Sequence, residues 1–162
     1  MAASLKLNVD LAAQIRAHAQ QTYPHECCGA LLGRDSEAGR EVFDLMPLKN
    51  QRNDSPRNRF SITAEDVRLA ESTARDKMLE LIGWYHSHPA SAARPSEYDR
   101  DHAWPWYSYI IVRSEADGTR ELTSWRLADD RASFAPEPIE AAAIAEVSVE
   151  PQNLLRERSL RQ

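Results

Sequence analysis

The sequence predicts a single α/β domain. Helical periodicity occurs in two separate stretches, 11–22 and 63–80, each followed by a short apolar run of strand character, and β-branched and aromatic runs fill much of the second half. A chain of 162 residues has the length of one domain and can bury a core without disulfides or a structural metal. We place the domain at 1–140 and leave 141–162 as a C-terminal tail of mixed pattern with no assigned element.

Asp10 reads as the N-cap of a first helix, Leu11 to Thr22, carried by Leu11, Ala12, Ile15 and Ala19 and ended by Pro24. His18 within it is expected to face solvent. The run His25 to Gly33, HECCGALLG, reads as a buried strand with Glu26 at its start. Arg34 to Arg40 reads as a turn and Glu41 to Leu48 as the partner strand of a hairpin. The polar stretch Lys49 to Arg59 has the composition of an exposed loop. Phe60 to Ile62 reads as a short strand, and Thr63-Ala64-Glu65-Asp66 as a capping box opening a helix to about Glu80. A second hairpin follows from Trp106 to Arg113 and Arg120 to Leu127; the prolines limit Phe134 to Glu140 to an edge strand at most.

Composition narrows the function. With 42% hydrophobic and 28% charged residues, and no run approaching the roughly 20 apolar residues of a membrane span, the chain reads as a non-membrane protein. Its start, MAASLKLNVD, does not read as a secretory signal, so a cytoplasmic location is expected. Cys27 and Cys28, adjacent and the only cysteines, form neither a disulfide framework nor a CxxC pair and are expected to be reduced. A net charge of −5 argues against nucleic acid as a partner, although Arg52, Arg57 and Arg59 form a local basic group.

The chemistry concentrates between Leu81 and Asp99, LIGWYHSHPASAARPSEYD. Alternate residues of a strand share a face, so His86 and His88 project together while Ser87 points the other way and serves the scaffold. Pro89 ends the strand there, and the following loop brings Asp99 within reach as a third donor. Two imidazoles and a carboxylate suit a divalent cation such as zinc and leave one position open, the coordination of a catalytic rather than a structural site. Other readings stay open at this stage. Ser96 and Asp99 have the spacing of a capping box, His102 lies one helical turn beyond Asp99 as a rival donor, and Glu26 by position alone is a solvated charge.

The segments HECCGALLG, GWYHSHP and PSEYD together resemble the JAMM (MPN+) zinc metalloprotease family, in its short prokaryotic form. That family's pattern is an early glutamate, then His-Ser/Thr-His, seven residues, Ser, two residues and Asp. Here Glu26, His86, Ser87, His88, Ser96 and Asp99 fill every position, and the likeness covers about Leu11 to Leu127. The resemblance implies a cytidine-deaminase-like mixed sheet flanked by helices. It implies one zinc ion per chain on His86, His88 and Asp99, Glu26 as general base, and Ser96 as oxyanion donor. It further implies a peptidase or isopeptidase acting after the C-terminal Gly-Gly of a ubiquitin-like or sulfur-carrier protein.

Competing classes are a metal-free MPN scaffold and a RadC-like protein of other function. The complete donor set weighs against the scaffold; the acidic charge and the HECCG segment weigh against RadC. A zinc nucleoside deaminase would need His-x-Glu with Pro-Cys-x-x-Cys, and neither is present. An amidohydrolase barrel needs about 250 residues.

Overall fold

The structure, a computed structural model, describes residues 4–49 and 61–143. In chain order it contains β1 (Leu5–Leu7), α1 (Val9–Thr22), β2 (Cys28–Ser36), β3 (Gly39–Leu48), α2 (Ala64–Asp76), β4 (Glu80–Pro89), α3 (Glu97–His102), β5 (Ser108–Glu115), β6 (Gly118–Leu127), β7 (Phe134–Glu137) and β8 (Ile139–Ala141). The strands form one mixed eight-stranded sheet in the order β7-β6-β5-β4-β2-β3-β1-β8. Only Pro138 separates β7 at one edge from β8 at the other, so the sheet curls until its two ends are one residue apart. This is the expected α/β domain, a mixed sheet with helices packed against it.

The two faces carry different cores. Leu11, Ile15 and Ala19 of α1 pack on Leu5, Leu31, Val42, Ile82, Tyr85, Ile110 and Val112. On the other face, Ala70 and Ala74 of α2 pack with Ala30, Leu32, Leu81, Trp84 and Tyr109. Each fully buried aliphatic side chain contributes about 1.5–3 kcal/mol from the hydrophobic effect, so both helices are held by packing more than by intrinsic propensity. Gly29 is required by close approach: a Cβ there would lie 2.2 Å from the Tyr85 ring, which crosses over it from β4.

Several expectations change at element boundaries. The N-cap of α1 is Asn8, whose side chain accepts from the Leu11 amide at 2.8 Å; Asp10 lies instead in the first turn, where its charge favours the positive helix end. The turn expected from Arg34 to Arg40 shrinks to residues 37–38, because Arg34 pairs with Glu41 and Asp35 with Arg40 across the ladder. Those charges read as loop in the sequence, yet the Arg40 guanidinium reaches Asp35 at 3.2 Å. The second helix stops at Asp76 rather than near Glu80, since Met78 takes a left-handed conformation, φ 58°. Its capping box on Thr63 and Asp66 is present as expected.

Two further strands depart from expectation. Trp106, expected in a strand, has φ 85° and lies in the loop before β5, where its carbonyl accepts from Arg40 at 2.6 Å. The segment from Phe134 divides into two edge strands at Pro138. Strand β1, too short to show periodicity, pairs in parallel with both β3 and β8. Ser61 and Ile62 belong to no strand. The loop expectation for 50–59 with its basic group, the strand position Phe60 and the tail beyond 143 fall outside the described residues. Among those described, no helix is long and apolar enough to cross a membrane.

Candidate metal centre

The site is built at the C-terminal end of β4. Trp84, His86 and His88 alternate onto the α2 face, while Tyr85 and Ser87 point to the α1 face. Ser87 is fully buried and knits the scaffold: its hydroxyl accepts from the Cys27 amide at 2.8 Å and its amide donates to the Cys27 carbonyl at 3.1 Å. Pro89 is the last residue of β4, and Ala90 turns the chain with φ 54°. That turn carries the Ala92 carbonyl back to His88 Nδ1, 2.8 Å away. A ring nitrogen facing a carbonyl is held as the donor, which leaves Nε2 with its lone pair for a metal.

Asp99 arrives on α3. Ser96 is the N-cap of that six-residue helix, and Ser96 and Asp99 form a reciprocal capping box. The Ser96 amide donates to Asp99 Oδ2 at 2.8 Å and the Asp99 amide to Ser96 Oγ at 3.1 Å. The capping and ligand readings are therefore compatible, because the same carboxylate also meets both histidines. Oδ1 lies 3.4 Å from His86 Nε2 and Oδ2 lies 3.2 Å from His88 Nε2.

The three donors fit a small tetrahedral cation. Their atoms all lie within 4.8 Å of one another, and the two Nε2 atoms are 3.1 Å apart. Donors each about 2.0–2.1 Å from one tetrahedral zinc ion would be about 3.3 Å apart, close to the separations found. Two imidazole nitrogens and a carboxylate converging without an intervening hydrocarbon form an electron-rich cluster that a cation neutralises. His86, His88 and Asp99 are all buried.

The electrostatics follow from that burial. Burial disfavours charge on His86 and pulls its pKa down, with Asp99 opposing only in part. For His88 burial also acts downward, but the hydrogen bond and charge of Asp99 outweigh it and raise the pKa, helped by the Ala92 carbonyl and Glu26. Burial opposes ionisation of Asp99, yet the two imidazoles and the Ser96 amide hold its carboxyl far below the usual carboxylate range.

Glu26 is buried, one residue before Cys27 and its ladder contact to Ser87. Cys28 pairs with His86 in the antiparallel register, so extending the register two residues sets Glu26 opposite His88. The charge of Glu26 is felt at His88, in keeping with that placement. Ser96 stays exposed, and its hydroxyl, while accepting from the Asp99 amide, keeps its own proton to donate.

Other candidates fall away. His102 is exposed, its ring stacked on Tyr98 with centroids 4.0 Å apart and its Nδ1 2.9 Å from the Tyr98 carbonyl, so it is not one of the three converging donors. His18 does not simply face solvent: it is half-buried and its Nδ1 meets the Tyr85 hydroxyl at 2.8 Å. Beside the cluster lies a pocket of about 280 Å³ that includes His86 and Asp99 and is walled by Tyr98, Trp104, Tyr109 and Phe134. The sequence reading did not assign those aromatic walls to the site. The concentration of aromatic residues directly after the PSEYD segment is the signal that could have done so.

Residues 8–128 match the model of the family described as prokaryotic homologs of the JAB domain. The chain is 33% identical over 126 residues to a desampylase from Haloferax volcanii, covering 75% of this chain and 87% of that protein. It is 28% identical over 134 residues to a CysO-cysteine peptidase of Mycobacterium tuberculosis, covering 82% and 88%. A solution structure of a protein from Desulfitobacterium hafniense superposes with a TM-score of 0.77 at 29% identity, covering 89% of this chain and 97% of that one.

Proposed function

The chain belongs to the family of prokaryotic homologs of the JAB domain, the JAMM family with its cytidine-deaminase-like fold, and on that premise we propose that it is a zinc-dependent peptidase. Its substrate in this reading is a ubiquitin-like or sulfur-carrier protein, cut at the bond that follows a C-terminal Gly-Gly. The observation that carries the proposal is the convergence of His86, His88 and Asp99 on one point, with the buried Glu26 just before β2, where the extended register sets it opposite His88. The names of the two relatives, a desampylase and a peptidase, support it.

His86 Nε2, His88 Nε2 and an Asp99 oxygen would hold the ion. Bound there, zinc supplies a Lewis-acidic charge that acidifies a water molecule and polarises a carbonyl. Glu26 takes the proton from the attacking water as the carbon–oxygen bond forms. It returns that proton to the leaving amine as the carbon–nitrogen bond breaks, so the base is regenerated each cycle. Ser96 donates its hydroxyl proton to the tetrahedral oxyanion, an interaction typically worth a few kcal/mol. The Ala92 carbonyl orients His88, and the capping box orients Asp99. A Gly-Gly tail suits a narrow approach to such a centre because it has no Cβ atoms to collide with the walls.

Incubating the zinc-loaded protein with Gly-Gly-tailed carriers extended at their C termini, and weighing the products by intact mass, tests this reading. A mass loss equal to the extension is expected. Unchanged masses across ubiquitin-like and sulfur-carrier substrates, with stoichiometric zinc present, would leave a metal-binding scaffold instead.

A further inference from the structure

A second cleft adjoins the candidate centre on the outer side of α3. It measures about 350 Å³ and shares Phe134 and Pro95 with the pocket that includes His86 and Asp99. Ser96 lies in its wall, Trp125 contributes an aromatic surface, and Arg94 and Arg100 stand on it as cations against one carboxylate, Glu97. Among the described residues Arg94 makes no ion pair, and Arg100 pairs only with Asp101, at 4.0 Å, the outer limit of such a contact. In a chain of net charge −5, two arginines with no firm carboxylate partner among the described residues, beside Ser96, are a local reversal of sign.

Glu121 and Glu137 line a neighbouring cleft that shares Arg94 and Trp125 with this one, and both have other partners. Glu121 accepts from the Ala93 amide at 3.3 Å, and Glu137 is paired with Arg126 at 3.1 Å and with the Ser124 hydroxyl at 2.8 Å. Neither forms an ion pair with Arg94 or Arg100. A guanidinium fork beside an aromatic plane recognises a carboxylate through paired N–H donors, while the plane packs against the rest of the residue.

We infer that Arg94 and Arg100 determine specificity by binding a carboxylate of the substrate close to the scissile bond. This rests on the peptidase reading above and adds the chemistry of the group that reading leaves open. The carboxylate is either the free terminus of the residue after Gly-Gly or an acidic side chain next to it.

Two matched pairs of extended carrier distinguish these sources. One pair carries Gly-Gly-Ala as free acid or as terminal amide; the other carries Gly-Gly-Glu or Gly-Gly-Gln, both as amides. Charge-assisted hydrogen bonds of this kind are worth about a tenfold change in KM, so the carboxylate form of at least one pair should show a KM lower by about that factor. The pair that responds identifies the source, and in the double variant R94A/R100A its KM advantage should vanish. Equal KM values within both pairs, or an advantage that survives R94A/R100A, would overturn the inference while leaving the peptidase reading intact. No hydrolysis of any of the four by zinc-loaded protein would overturn the peptidase reading, and this inference with it.

Discussion

Glu26, two residues before β2, falls opposite His88 when the antiparallel register of β2 and β4 is extended past Cys28 and His86; its carboxylate contributes no donor atom to the converging cluster, whereas a ring nitrogen of His88 does. In a ladder, directly opposed residues have Cβ atoms about 4.5–5.5 Å apart, and a continuation of that spacing would let the carboxylate reach a water held beside the cluster. In the proposed mechanism the chemistry and the metal binding fall to different residues and are separable by mutation.

Replacing Glu26 by Gln keeps the shape and removes the base. Hydrolysis should fall by at least about a hundredfold while zinc content stays at one per chain. Turnover and metal content measured on one preparation check this; a zinc-loaded E26Q protein with full activity would remove Glu26 from the mechanism.

The ligand set makes the opposite prediction. H88A should lose most of its bound zinc, and D99N should lose zinc and also weaken the start of α3, because Asp99 accepts the Ser96 amide as well. H102A should retain zinc, since that ring is exposed and stacked on Tyr98. Metal analysis after dialysis against a weak chelator separates the three, and zinc loss in H102A alone would reverse the assignment.

Ser96 is the N-cap of α3 and, in the proposed mechanism, the oxyanion donor, and the two roles have different signatures. S96A removes an N-cap, at a cost of about 0.5–2 kcal/mol in stability. As an oxyanion donor its loss should also lower kcat by about a hundredfold with little change in KM. Denaturation midpoint and steady-state kinetics on the same variant test both; an unchanged kcat would leave only the cap.

The buried thiols predict an alkaline limit to stability. Burial pushes Cys27 up to about 11 and Cys28 to about 12, from an ordinary value of 9.0. A folded-state pKa above the unfolded one means that the native protein holds its protons longer. This contribution is complete below pH 9 and is lost as pH rises from 9 towards 12. Urea unfolding of the metal-free protein at several pH values should show stability falling through that window, and less steeply in a C27A/C28A variant. Parallel pH profiles would contradict the assignment.

The convergence of the candidate donors was partly legible because strand alternation is a strict geometric rule. His86 and His88 share a face for the same reason that Tyr85 and Ser87 share the other. Spacing alone could not choose between Asp99 and His102, since both sit on α3; the capping box decides it by turning the Asp99 carboxylate inward. The position of Glu26 near His88 was invisible from local pattern, because it depends on the pairing of β2 with β4, far apart in the chain. The Arg34 to Arg40 segment misled for a physical reason: polar residues read as a turn, but opposite charges facing each other across a ladder are as compatible with strands. Asp10 misled similarly, since an acidic residue in the first turn and a true N-cap are two positions apart and favoured by related electrostatics.

The most direct measurement is anomalous diffraction at the zinc edge from crystals of the loaded protein. One strong peak is predicted about 2.0–2.1 Å from His86 Nε2, His88 Nε2 and an Asp99 oxygen, with the Glu26 carboxylate a single water away and outside the coordination shell. A peak at another place in the fold, or a Glu26 side chain turned away from the ion or bound to it directly, would contradict the account.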